Sequence, residues 1–98
     1  MDVLRELKDA CSTGDIVFGQ KQAKSSCSEG KAKLIIFSMN CPEDYVTELG
    51  AEFSGITMYR ANVVNRELGA VCGKPFPVSA IAVLDAGRSK LFSLKSNL

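Results

Sequence analysis

Hydrophobic positions recur along the 98-residue chain with two alternating periods, and the switches between them mark out the elements. Val3, Leu4, Leu7, Ala10 and Cys11 fall at helical spacing, with Arg5, Glu6, Lys8 and Asp9 on the other face. The pattern predicts an amphipathic opening helix that stops at Gly14. Ile16-Val17-Phe18 reads as a short buried strand, and Gly19 stands where the chain must turn without a side chain in the way. Gln20 to Glu29 reads as a second helix, with Gly30 as its left-handed stop. Leu34 to Ser38 opens on four consecutive apolar residues and predicts a central strand, with Asn40 beyond its carboxyl end.

Pro42 fits the first position of a third helix, and Glu43 and Asp44 complement the positive end of its dipole. Tyr45, Val46, Leu49 and Phe53 form the inner stripe, and Gly55 is expected to close it. Ile56 to Tyr59 predicts a third strand. Asn62 or Asn65 then caps a short helix through Glu67, Leu68, Ala70, Val71 and Cys72, which Gly73 ends. The two prolines of Lys74-Pro75-Phe76-Pro77-Val78-Ser79 forbid helix and central strand alike, so this segment is an exposed loop. Ala80 to Leu84 is the fourth strand, Asp85-Ala86-Gly87 a turn, and Lys90 to Leu94 a last short strand. Such alternation predicts an α/β fold, a three-layer α/β/α sandwich on a four-stranded mixed sheet, with residues 1–98 forming one domain.

Composition narrows the chemistry. No apolar signal core follows Met1, and no window approaches the ~18 uncharged residues of a membrane span, so a soluble cytoplasmic chain with no membrane partner is expected. Histidine is absent, which removes Ser-His and Cys-His triads and any mixed zinc site and so narrows any enzyme hypothesis sharply; no cofactor or metal is expected. Cys11, Cys27, Cys41 and Cys72 contain no Cys-x-x-Cys pair and read as free thiols. A disulfide or redox site is the alternative, with Cys41 at a helix start, where thiolate formation is favoured.

The net charge of +1 conceals a lopsided distribution. Residues 19–33 carry Lys21, Lys24, Lys31 and Lys33 against Glu29 alone, while residues 42–52 carry Glu43, Asp44, Glu48 and Glu52 with no base. Charge runs of this kind are commonly solvated helix faces; a basic side toward nucleic acid is the functional reading.

Three places carry candidate chemistry. Gly19 precedes a helix whose first backbone N–H groups are open, beside the side chains of Gln20, Lys21, Gln22 and Lys24. Two amides and two ammonium groups suit a phosphate backbone with base edges in reach. The glycine is single, so neither a dinucleotide fingerprint nor a Walker loop is present. Phe76, between two prolines, either folds back over the core or stacks on an unpaired base with Lys74 nearby for a phosphate. Asn40 either caps a helix or meets a ligand at the strand end.

Taken together, Gly19-Gln20-Lys21, Ala32-Lys33-Leu34-Ile35-Ile36, Asn40, Glu67-Leu68-Gly69 and Gly73 to Ser79 stand in an order and spacing that resembles the L30e ribosomal-protein family of the L7Ae superfamily. The resemblance covers nearly the whole chain. It implies a non-enzymatic protein that binds kink-turn or similar internal-loop RNA in the large ribosomal subunit, among other ribosomal components, and is monomeric when free. The short length without tails resembles the archaeal members. Carried over by position, Gly19, Gln20 and Lys21 would meet RNA at the helix start, joined by Gln22, with Asn40 at the strand end. Lys74, Phe76, Pro77 and Val78 would form the loop that touches extruded bases.

This chain departs from the wider superfamily in three places. General kink-turn binders have an asparagine and then an acidic residue where Lys21 and Gln22 stand. The basic residue that some relatives place one turn into the helix falls on Ser25, and Lys24 lies one position earlier, about 100° around the axis. Pro77 removes a backbone donor. The competing expectations are a kink-turn protein of a non-ribosomal RNA particle and, from another class, a small cysteine-based redox protein or enzyme.

Overall fold

The computed structural model describes residues 1–98. Four helices and four strands alternate, as α1 (Val3–Thr13), β1 (Asp15–Phe18), α2 (Gln20–Ser28), β2 (Leu34–Phe37), α3 (Glu43–Glu52), β3 (Thr57–Arg60), α4 (Asn65–Val71) and β4 (Ala80–Asp85). The sheet runs β1-β4-β2-β3, with β2 and β3 parallel and the other two pairings antiparallel, so it is mixed. α3 is the crossover that the parallel pair requires.

The four apolar residues of β2 are all buried because the strand is covered on both faces. Leu34 and Ile36 join Ile81 and Val83 of β4 in a core with Leu7 and Ala10 of α1 and Leu68 of α4. Ile35 and Phe37 point the other way, joining Ala80 and Ala82 in a second core with Ala23 and Cys27 of α2 and Val46 and Leu49 of α3. Period-2 alternation thus divides the strands between two cores, and the three-layer sandwich follows.

Four local expectations are corrected. Pro42 is the N-cap of α3, with extended ψ of 131°, so the helix starts at Glu43. Gly55 has no left-handed conformation; α3 ends at Glu52, with the Phe53 N–H on the Leu49 carbonyl. Ile56 gives its N–H to the Phe53 carbonyl, so β3 begins one residue later, at Thr57 opposite Leu34.

The segment from Lys90 to Leu94 is a 3-10 turn, Leu91–Ser93, rather than a strand. The Lys90 N–H donates to the Glu6 carboxylate at 2.7 Å and the Ser93 hydroxyl to the Lys90 carbonyl at 2.6 Å. These bonds coil the backbone and drop Leu91 into the α1 core. Farther on, the Ser96 and Asn97 side chains take the edge of β3: Met58 N–H donates to Ser96 Oγ, and the Asn97 amide bonds both the N–H and the carbonyl of Arg60. Side chains here blunt an edge that would otherwise present open backbone groups.

Candidate nucleic-acid interface

Because β4 runs antiparallel to β1 and β2, its start lies beside their carboxyl ends. The loops that leave there are tied by backbone bonds. The Gly19 N–H donates to the Ala80 carbonyl (2.8 Å), the Ser38 N–H to Ser79 (2.9 Å) and the Met39 N–H to Val63 (2.7 Å). Three stretches far apart in sequence are therefore brought to one end of the sheet: the start of α2, the end of β2, and the loop from Lys74 to Ser79.

Gly19 is the N-cap of α2, with φ of 100°, a conformation that L side chains rarely adopt. No side chain caps this helix and its first turn has no acid; Asp2 caps α1, and Glu43 and Asp44 occupy the first turn of α3. The N–H groups of Gln20, Lys21 and Gln22 precede the first intrahelical bond, which Ala23 N–H makes to the Gly19 carbonyl. The Tyr45 hydroxyl donates to the Gln20 carbonyl at 2.5 Å and so pins this helix start against α3. Burial pushes that phenol above its ordinary range, which keeps it a donor. Lys21 and Gln22 are exposed. Lys24 instead turns to α3, where its ammonium meets Glu48 at 2.8 Å.

Asn40 does cap a helix, but one 25 residues away. Its Oδ1 accepts from the Asn65 N–H at 2.8 Å and from the buried Ser38 hydroxyl at 2.9 Å. Neither Asn62 nor Asn65 caps α4; Val64 is the N-cap residue and makes no side-chain bond. The Asn40 Nδ2 makes no hydrogen bond within the chain, and the residue is exposed.

The loop after α4 begins with Gly73 in the left-handed region (φ 74°), the Gly73 N–H on the Ala70 carbonyl and the Lys74 N–H on Gly69. These two bonds are a Schellman stop. Phe76 is 52% exposed between exposed Pro75 and Pro77, so its ring does not fold back over the core. Val78 does: it is 2% exposed and belongs to the α1 core, with its N–H on the Asn65 carbonyl. Its side chain anchors the loop from below. Lys74 lays its ammonium 4.5 Å from the centre of the Phe18 ring, at the end of β1 beside Gly19.

Three residues that help shape this end were not among the candidate site residues of the sequence, Gly69 having stood there only as part of a motif. Arg66 and Ala70, one helical turn apart, line with Lys74, Pro75, Phe76 and Pro77 a groove of about 330 Å³; the i, i+4 spacing toward the loop was the available signal. Gly69 lets α4 approach the loop, since a Cβ there would lie 2.2 Å from the Phe76 carbonyl oxygen. A glycine inside a helix costs stability, and that is the trace it leaves in sequence. Lys21, Arg66 and Lys74 make no ion pairs, whereas Lys24, Lys31 and Arg60 do.

No cluster of three or more His, Cys, Asp or Glu side chains is placed to hold a metal, and no helix is long and apolar enough to cross a membrane. Cys41 is 4% exposed, and burial pushes its thiol up to about 11, opposite to an activated nucleophile.

A family model described as the ribosomal protein L7Ae/L30e/S12e/Gadd45 family matches residues 1–93. Among curated relatives, the large ribosomal subunit protein eL30 of Methanococcus vannielii is 39% identical over 98 residues, covering 98% of this chain and 93% of that one. The protein of the same name from Methanocaldococcus jannaschii is 38% identical, covering 96% and 87%. That of Methanosphaerula palustris is 39% identical, covering 97% and 98%. A solved structure of a Bacillus halodurans protein with unknown function superposes with a TM-score of 0.80 at 22% identity, over 94% of this chain and 93% of that one, and shares the fold.

Proposed function

The chain belongs to the L7Ae/L30e/S12e/Gadd45 family of ribosomal proteins, and from that premise we propose that it is an RNA-binding protein of the large ribosomal subunit. It acts in the cytoplasm without enzymatic activity, is monomeric when free, and grips a kinked internal loop of ribosomal RNA across the end of its sheet. The observation that carries this reading is the convergence there of three unlike elements: the uncapped start of α2, the unused Asn40 amide, and the exposed Phe76 ring.

Each element suits a different part of an RNA. Open N–H groups and the helix dipole at Gly19 to Gln22 favour a phosphate, with Lys21 adding a full charge. Gln20, Gln22 and the Asn40 Nδ2 can reach base edges, which an unstacked internal loop offers and a plain A-form helix hides. Phe76 supplies a stacking face for an extruded base, stiffened by Pro75 and Pro77, with Arg66 and Lys74 flanking the groove for phosphate. Val78 supports that loop from the core, and Lys24 contributes only when it leaves Glu48.

The test compares, at one fixed salt concentration, a kinked internal-loop RNA with a plain duplex of equal length. Tighter binding to the internal loop is expected, and equal affinity would overturn the proposal. Co-sedimentation with mature large subunits separates the ribosomal role from service in a non-ribosomal RNA particle.

A further inference from the structure

The outer edge of β3 is held by two residues, Ser96 and Asn97, rather than by a strand. Met58 and Arg60 direct their backbone groups to this edge, and all four groups are taken. Ser96 Oγ accepts from the Met58 N–H at 2.9 Å, and the Asn97 N–H donates to the Met58 carbonyl at 3.2 Å. The Asn97 side-chain amide accepts from the Arg60 N–H at 2.7 Å and donates to the Arg60 carbonyl at 3.0 Å. That amide imitates the peptide group of a neighbouring strand.

Beside this edge lies a groove of about 410 Å³. Glu43, Val46, Thr47 and Gly50 form its α3 wall at i, i+3, i+4 and i+7 spacing, and Arg60 and Asn97 line it too. Gly50 keeps that wall low. A glycine inside a helix costs stability against alanine, and packing does not require this one: outside its own helix, a Cβ there would meet only Met58 Sδ, at 4.0 Å. Arg60 supplies the chemistry. Its Nη1 pairs with Glu43, while Nε and Nη2 are buried and have no hydrogen-bond partner in the chain. Those two nitrogens share one edge of the planar guanidinium and point the same way, the geometry that takes both oxygens of a carboxylate. Charged donors left buried and unmade are costly, so this edge favours an occupant that brings two acceptors side by side.

We propose that the β3 edge and the α3 groove bind an extended, carboxylate-bearing peptide of a protein partner, and that Ser96 and Asn97 form a strap which this peptide displaces. The incoming strand takes over the backbone bonds of Met58 and Arg60, its side chains alternate into the groove over Gly50, and its carboxylate pairs with Nε and Nη2 of Arg60. Strap and peptide compete for the same backbone groups. The apparent affinity is therefore scaled by the fraction of time the strap is open. A second copy of the chain offers a poorer strand, because β3 itself, Thr57 to Arg60, brings an arginine and no acid to the pairing.

The probe is the acetylated and amidated peptide Thr-Val-Glu-Thr-Val, with glutamine in place of glutamate as its control, titrated into the isotopically labelled full-length protein and followed by NMR. Amide shifts are expected at Met58, Arg60 and Thr47, with the glutamine peptide binding about tenfold more weakly. Asn97→Ala removes two strap bonds and should bind the glutamate peptide at least about tenfold more tightly than the parent. Gly50→Leu fills the groove but leaves the strap bonds in place, and should lose the peptide while staying folded. Absence of shifts along β3 in both the parent and Asn97→Ala, equal binding of the two peptides, or parent-like affinity in Asn97→Ala would overturn the proposal. So would a concentration-dependent dimer of Asn97→Ala that excludes the peptide, since the edge would then belong to a second copy. None of these readouts involves RNA, so their failure is separate from that of the RNA-binding reading.

Discussion

Asn40 has two jobs on two different atoms, and substitution can separate them. Its Oδ1 accepts from the Asn65 N–H and the Ser38 hydroxyl; its Nδ2 is unused. In Asn40→Ala both acceptor bonds vanish. Losing a helix N-cap costs about 1 kcal/mol, and the Ser38 hydroxyl, on a residue 0% exposed, is left without its acceptor at roughly another 1 kcal/mol or more. A loss of about 2 kcal/mol should lower Tm by roughly 8 to 16 °C for a domain of this size. Asn40→Asp keeps an acceptor for both bonds and adds a favourable charge at the start of α4, so its Tm should stay at or above that of the parent. It has no N–H to offer a base, however, and RNA affinity should fall about tenfold, the worth of one hydrogen bond. Thermal melts and fluorescence-anisotropy titrations read the two effects, with titrations at low and high salt because the added carboxylate also repels phosphate. Repulsion is screened by salt, whereas a lost hydrogen bond is not. Parent-like RNA binding by Asn40→Asp at high salt would remove Asn40 from the interface, and a parent-like Tm for Asn40→Ala would refute the long-range cap.

Phe76→Ala should leave stability within about 0.5 kcal/mol, because the ring is half exposed, yet weaken internal-loop RNA binding by ~1 to 3 kcal/mol in the same titration. Lys21→Ala should reduce the slope of log affinity against log salt by about 0.7 to 0.9; an identical slope would argue against a phosphate contact. Gly69→Ala should cost about 1 to 3 kcal/mol in urea denaturation despite the better helix propensity of alanine, since its Cβ would collide with the Phe76 carbonyl and push the loop away; a more stable variant would show that the loop yields freely. Cys41 is raised from 9.0 to about 11 in the folded state, so its contribution is present in full below about pH 9 and is lost as pH rises through about 11. Denaturation at pH 7 and pH 11 should show about 2 kcal/mol more alkaline loss in the parent than in Cys41→Ala, the difference cancelling the parallel effects of Cys27 and Tyr45.

The elements were legible in sequence wherever one periodic face decided them. α1 has a continuous apolar stripe, and four apolar residues in a row could be satisfied only by a strand covered on both faces, as β2 is. The glycines at 19, 30 and 73 were legible because each adopts a backbone conformation that penalises other residues. Misreadings arose where a distant group supplied the deciding bond. Leu91 and Leu94 suggest a strand until the Glu6 carboxylate, 84 residues earlier, takes the Lys90 N–H. Asn65 looks like a cap until Asn40 caps it. In the same way Val78 sits in a loop by composition but in the core by position, because its N–H is bound to Asn65.

Charge was the least legible feature, and its resolution bears on function. The basic run of α2 and the acidic run of α3 lie in the same layer, where they partly cancel: Lys24 pairs with Glu48, and Arg60 of β3 pairs with Glu43. At physiological salt, fields fade within about 8 Å, so these neutralised pairs along the flank contribute little at the end of the sheet. What acts there is the local set of Lys21, Arg66 and Lys74, none of them in an ion pair, together with the start of α2, which has no acid in its first turn. A net charge of +1 is therefore compatible with a cationic end of the sheet, where the proposed interface lies. By the same reasoning, Glu48→Gln should free Lys24 and strengthen binding to any RNA, kinked or plain, by a similar factor, because a liberated phosphate contact carries no sequence information. For each RNA, an affinity unchanged by the substitution would mean that the flank never faces the RNA.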